Sequence, residues 1–122
     1  MKVIDASAMI AYLFGEPGGD VAFQSFSDAA MSVVNVAEVL TRFARDGVDP
    51  EATFASVERC GVAIAGTTSE DAIEAARFPA NSGLSLGDRL CIALAKRLNA
   101  PVVTADQLWA TAGVGVSVEL IR

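Results

Sequence analysis

Lys2-Val-Ile-Asp-Ala-Ser7 sets a short apolar strand directly against an aspartate, and Ala6-Ser-Ala-Met-Ile-Ala-Tyr-Leu13 then reads as a helix. A carboxylate at the C-terminal end of a strand stands where open α/β sheets place their ligands. It is equally an ordinary place for a helix cap. Asp5 acquires meaning only if other acids arrive at the same edge, so the chain has to be followed outward from this stretch.

Gly15-Glu-Pro-Gly-Gly19 breaks the first helix, and a second is expected from about Asp20 to Asp28. Met31-Ser-Val-Val34 reads as a strand. Asn35 then opens a helix with an apolar stripe of Val36, Val39, Leu40 and Phe43, stopped at Asp46-Gly47. Asp49-Pro50 starts another helix, with Phe54 and Val57 on its apolar face, ended by Gly61. Val62-Ala-Ile-Ala65 is a third strand, and the helix signalled by Thr67-Thr-Ser-Glu-Asp71 runs to about Phe78. Ser85 opens a largely apolar helix reaching Leu98. Pro101-Val-Val-Thr104 is a fourth strand, Asp106 begins a short helix with Leu108 and Trp109, and Val116 to Ile121 is a last strand. Strands alternating with helices predict an α/β fold: one domain over residues 1–122, with a central, mainly parallel sheet of about five strands flanked by helices.

Composition narrows the chemistry. The 122 residues suit a single domain, and 52% hydrophobic residues supply an ample core, with apolar surface left over for a partner. No apolar run is long enough to cross a bilayer, and Asp5 interrupts any secretory signal, so a soluble cytoplasmic protein is expected. The formal charge of −6 argues against nucleic acid as a partner, unless the acids surround cations. There is no histidine, which removes the commonest general base and most zinc sites. Cys60 and Cys91 lie in apolar helical contexts and read as buried free thiols.

Asp5 follows the first strand, Glu38 the second and Asp106 the fourth, so a parallel sheet puts all three at one edge. Asp88, in the first turn of the long apolar helix, joins them if that helix starts at the same edge. Each acid also has a plain local explanation. Asp5 and Asp106 can be N-caps, Asn35-Val-Ala-Glu38 and Ser85-Leu-Gly-Asp88 resemble capping boxes, and Glu38 with Arg42 is a favourable i,i+4 pair. Gathered in one pocket, however, carboxylates repel unless a cation is present. Their convergence therefore points to a hard divalent metal, Mg²⁺ or Mn²⁺, and to phosphate chemistry with a metal-activated water. Arg42, Arg45, Arg89, Lys96 and Arg97 are candidates for phosphate contacts. For Lys96 and Arg97 the helix C-terminus is explanation enough, while Arg89 is expected at the substrate or in a salt bridge inside the site.

Val3-Ile-Asp-Ala-Ser-Ala8, Asn35-Val-Ala-Glu38, Gly83-Leu-Ser-Leu-Gly-Asp88 and Val103-Thr-Ala-Asp106 resemble, in order and spacing, the signatures of the PIN domain, specifically VapC-type toxins of prokaryotic toxin–antitoxin pairs. The resemblance implies a Mg²⁺- or Mn²⁺-dependent endoribonuclease whose catalytic, metal-holding acids match Asp5, Glu38, Asp88 and Asp106. Thr104, Ser7 and Asn35 match supporting positions, and Arg89 and Arg42 are the substrate-binding candidates. It further implies a homodimer and a cognate antitoxin that wraps the toxin. Two other classes fit parts of the pattern. A receiver-like signalling domain shares the length and an acidic Mg²⁺ pocket, but Lys2 and Lys96 are the only lysines and neither follows a late strand. A non-catalytic binding module is compatible with the apolar face of Tyr12, Leu13 and Phe14, although no Gly-rich phosphate loop follows the first strand.

Overall fold

The computed structural model describes residues 1–122. Five strands, β1 (Lys2–Ile4), β2 (Ala29–Ser32), β3 (Ala63–Ala65), β4 (Val102–Thr104) and β5 (Val118–Leu120), form one sheet in the order β3-β2-β1-β4-β5. Every pairing is parallel. The six α-helices are α1 (Ala6–Phe14), α2 (Gly19–Phe23), α3 (Val33–Ala44), α4 (Pro50–Arg59), α5 (Ser69–Ala76) and α6 (Leu86–Leu98). Receiver domains belong to the doubly wound type with strand order 2-1-3-4-5, so the observed order removes the receiver-like alternative.

Side chains alternate across the central strands, as the two-residue period of a strand requires. Ile4 and Val103 face a core shared with Met9, Phe26, Val39 and Val57. Val3 and Val102 face a second core with Cys91, Ile92, Leu94 and Trp109. Both faces of the sheet are thus covered, which is the setting parallel sheets need. Gly15, at φ 69°, ends α1 in the left-handed conformation that lacks a steric cost only for glycine.

Several boundaries differ from the sequence reading. The second strand is Ala29–Ser32, not Met31–Val34. Val33 and Val34 carry strand propensity, but Ser32 Oγ accepts the Val34 N–H and caps α3, so the two valines open the helix instead. The expected helix over 20–28 is α2 followed by a separate 3-10 turn at Phe26–Asp28. Helix α5 stops at Ala76, and the last strand is limited to Val118–Leu120. Cys91 is a buried free thiol as expected, whereas Cys60 is only half-buried. No helix is long and apolar enough to cross a membrane.

Candidate active site

The strand order reverses between β1 and β4, since the chain fills the β2–β3 side first and then crosses to the other. A crevice at the C-terminal ends of the strands is expected at such a switch point, and Asp5 and Thr104 stand on its two sides. The Asp5 backbone starts α1, its carbonyl accepting from the amides of Ala8 and Met9. Its side chain caps nothing. Instead Oδ2 accepts hydrogen bonds from Ser7 Oγ at 2.6 Å and Thr104 Oγ1 at 2.9 Å. Thr104 Oγ1 in turn accepts the Asp106 amide at 3.0 Å, and Ser7 Oγ accepts that of Ala105 at 2.9 Å. Ser7, Thr104, Asp5 and the start of the Asp106 turn therefore form one hydrogen-bonded unit joining β1 to β4.

Glu38 and Asp88 enter from the helices. Because α3 starts at Val33, Glu38 lies in its second turn and the capping box read from Asn35 to Glu38 does not form. Asn35, fully buried, uses its amide differently. One N–H goes to Glu38 Oε1 at 2.7 Å and the other to the Gly87 carbonyl at 3.1 Å. This contact brings the first turn of α6, with Asp88, against α3. The second capping box is real: Ser85 Oγ accepts from the Asp88 amide, and Asp88 Oδ2 from the Ser85 amide at 2.9 Å. Asp106 is also a cap, its Oδ1 accepting the Leu108 amide at 3.0 Å.

Charge shows that the acids share an environment. Asp5 is 4% exposed. Burial raises its pKa from 3.8 to about 6, against the hydrogen bonds from Ser7 and Thr104, and the charges of Asp88 and Glu38 push the same way. Burial also lifts Asp88, against its Ser85 hydrogen bonds; Asp106 lifts it further and Arg89 opposes. Cys91, one turn beyond Asp88 on α6, was not singled out from sequence as part of this region. Burial pushes its thiol well above the ordinary value, and Asp5, Asp88 and Glu38 all add to the rise. Its i,i+3 spacing from Asp88 was the available signal.

In all four acids one carboxylate oxygen takes the hydrogen bonds and the other takes none. The anchored atoms are Oδ2 of Asp5, Oε1 of Glu38, Oδ2 of Asp88 and Oδ1 of Asp106. The donors available are hard oxygens with no histidine beside them, a set that suits a hard divalent cation. No three acidic or thiol side chains enclose an ion by themselves. A small hard cation that keeps several waters and takes only one or two carboxylates directly fits such an open arrangement.

No arginine forms an ion pair with the four acids. Arg42 does not pair with Glu38; its guanidinium reaches Asp46 at 3.3 Å and lies 4.8 Å from the Phe14 ring centroid. Arg89 makes no salt bridge to Asp88 and donates to the carbonyls of Ser85 and Ala75. Lys96 and Arg97 do more than sit at a helix end, since they reach Glu74 and Asp71 respectively.

A sequence profile of the PIN domain family matches residues 2–114. No curated protein matches the chain. Among solved structures, the chain is similar to a toxin–antitoxin complex from Klebsiella pneumoniae, with a TM-score of 0.80 at 16% identity over 100% of this chain and 98% of that one. It is also similar to DNA-bound VapBC from Salmonella typhimurium, with a TM-score of 0.74 at 16% identity over the whole of both chains. For FitAcB from Neisseria gonorrhoeae the TM-score is 0.72 at 19% identity, over 99% and 98% of the two chains. At these identities the likeness is one of fold.

Proposed function

Because the chain belongs to the PIN domain family, we propose that it is a Mg²⁺- or Mn²⁺-dependent endoribonuclease acting as the toxin of a toxin–antitoxin pair. The observation that carries the reading is the pattern at Asp5, Glu38, Asp88 and Asp106. Each acid is fixed by one oxygen and leaves the other for a ligand, so capping and metal holding are compatible duties of the same side chain.

Asp5 and Asp88, with Glu38 and Asp106, would hold the metal. A divalent ion bound there supplies a water of lowered pKa and a counter-charge for the phosphate and the leaving oxygen. The protein's own part is to keep the acids in place and ionised. Ser7 and Thr104 fix the Asp5 carboxylate by donating to one oxygen, and they favour its charged form against the cost of burial. Asn35 fixes Glu38, and Ser85 fixes Asp88. No histidine base is required, which agrees with a chain that has none.

The toxin assignment draws on the Klebsiella pneumoniae structure above, a toxin–antitoxin complex by its own description. In this reading an antitoxin covers apolar surface on the helices, where Tyr12, Phe14, Val21 and Phe23 are exposed. A shallow cleft of about 240 Å³ between Leu13, Phe43, Val48 and Ala52 lies on the same side of the sheet. The toxin is expected to be a homodimer. The test is cleavage of RNA by the purified chain with Mg²⁺ or Mn²⁺ and its loss in EDTA. Asp5→Asn that folds but cuts RNA at the parent rate would refute the proposal.

A further inference from the structure

Glycine is a poorer helix residue than alanine, yet Gly87 occupies the first turn of α6 without a positive φ to justify it. Space explains it. A Cβ at Gly87 would lie 2.5 Å from Glu38 Oε2, 2.6 Å from Oε1 and 2.7 Å from Cδ. Those are distances a carbon cannot occupy, and the three nearest atoms all belong to the Glu38 carboxylate. The same residue is gripped from the other side, because its carbonyl accepts a hydrogen bond from Asn35, which also holds Glu38 Oε1. Asn35 Oδ1 has no partner. Its two N–H groups alone orient the amide, and a flipped amide would face two acceptors with an oxygen.

We infer that Gly87 is a positioning residue for Glu38: the missing Cβ lets the carboxylate lie against the α6 backbone, next to Asp88, and Asn35 locks it there. The inference rests on the metal-site reading above and assigns to it a determinant outside the acids. Asp88 is placed by its own cap, Asp5 by burial and two hydroxyls. Glu38 is on the exposed end of the set and has the longest side chain, so without this seat nothing but Asn35 keeps it in the pocket. The nearest atoms a Cβ at position 87 meets belong to the far end of a flexible glutamate and not to backbone, so the fold should absorb an alanine there.

Gly87→Ala therefore has an unusual expected signature. Its melting temperature in EDTA equals or exceeds that of the parent, since alanine favours the helix. Its affinity for Mn²⁺, measured by calorimetry or by the free-ion paramagnetic resonance signal, falls by about 10–100-fold, the usual effect of removing a residue that supports a ligand. Adding Glu38→Asp, which withdraws the carboxylate by one methylene, restores part of the affinity in the Gly87→Ala background while weakening it in the parent. Parent-like Mn²⁺ affinity in Gly87→Ala, a lowered melting temperature in EDTA, or no restoration by Glu38→Asp would each overturn the inference and leave the metal site standing. A parent chain that binds no Mn²⁺ at millimolar concentration would instead remove the metal site, and this inference with it.

Discussion

The chain builds the same capping box twice, and the two copies end in opposite electrostatic states. Thr68 and Asp71 close the start of α5; Ser85 and Asp88 close the start of α6. Asp71 then receives Arg97, whose guanidinium donates to both its oxygens at 3.1 and 3.0 Å. Burial raises the Asp71 pKa, but the hydrogen bonds from Arg97 and Thr68 and the Arg97 charge together hold it below the ordinary value. Asp88 makes no salt bridge: the adjacent Arg89 lowers its pKa only through its charge and spends its N–H groups on the carbonyls of Ser85 and Ala75. Its neighbours are Asp106 and the other acids, and its pKa is raised. One cap is thus neutralised by a bidentate ion pair and the other is not, as the proposed metal site requires. The motif is shared; the ion pair is not.

The comparison breaks first on activity. Asp88→Asn keeps a side-chain oxygen to accept the Ser85 amide, so the capping box survives, and should lower metal-dependent RNA cleavage on the order of 10²–10³-fold, the scale for removing one preorganised electrostatic group. Asp71→Asn, measured in the same assay, should cleave at the parent rate. Equal losses in the two variants would show that the boxes do not differ in function.

The pH dependence of stability should differ in sign between the two regions. Asp5, with a folded pKa of about 6 against 3.8, binds its proton more tightly in the folded state. Without metal, its contribution is fully present below pH 3.8 and is lost as pH rises to about 6, a change of about 3 kcal/mol. Asp71 behaves oppositely: its pKa is lowered, so its contribution is present above 3.8 and is lost as pH falls below that value. Denaturant titrations in EDTA from pH 3 to 7 should lose the Asp5 component in Asp5→Asn. Mg²⁺ competes with the proton, so its stabilisation of the parent should be larger at pH 7 than at pH 5. A metal effect that shrinks with pH would contradict this assignment.

Smaller effects sharpen the contrast. Arg97→Ala leaves a buried carboxylate short of its charged donor and should cost about 1–3 kcal/mol by chemical denaturation, with Mn²⁺ affinity unchanged. Thr68→Ala and Ser85→Ala should each cost about 1 kcal/mol as lost N-caps. Only Ser85→Ala should also weaken Mn²⁺ binding, because the Ser85 hydroxyl holds the Asp88 amide and so sets where its carboxylate sits.

The order of elements was legible because helix stops, caps and apolar periods agree along most of the chain. The edge shared by Asp5 and Asp106 followed from strand order alone. The start of α3 was not legible: Ala29 and Ala30 carry little strand signal, Val33 and Val34 carry too much, and the serine cap decides between them. Nor could the sequence reveal that α6 reaches Glu38 through Gly87, since that contact joins residues about fifty positions apart. The expected ion pairs of Arg42 with Glu38 and of Arg89 inside the site are absent for a related reason. A long flexible side chain goes to whichever acceptor tertiary packing provides, here Asp46, the Phe14 ring and the carbonyls of Ser85 and Ala75.

Under the proposed function Asp88 and Asp106 have a double duty, and this bears on how the chain can vary. Aspartate and asparagine codons differ by one base, and asparagine retains the capping oxygen while surrendering the charge. At these two positions a single base change can therefore give a chain that still folds but no longer acts. On that reading damage to the reaction need not damage the structure, and inactive forms of the gene lie one mutational step away.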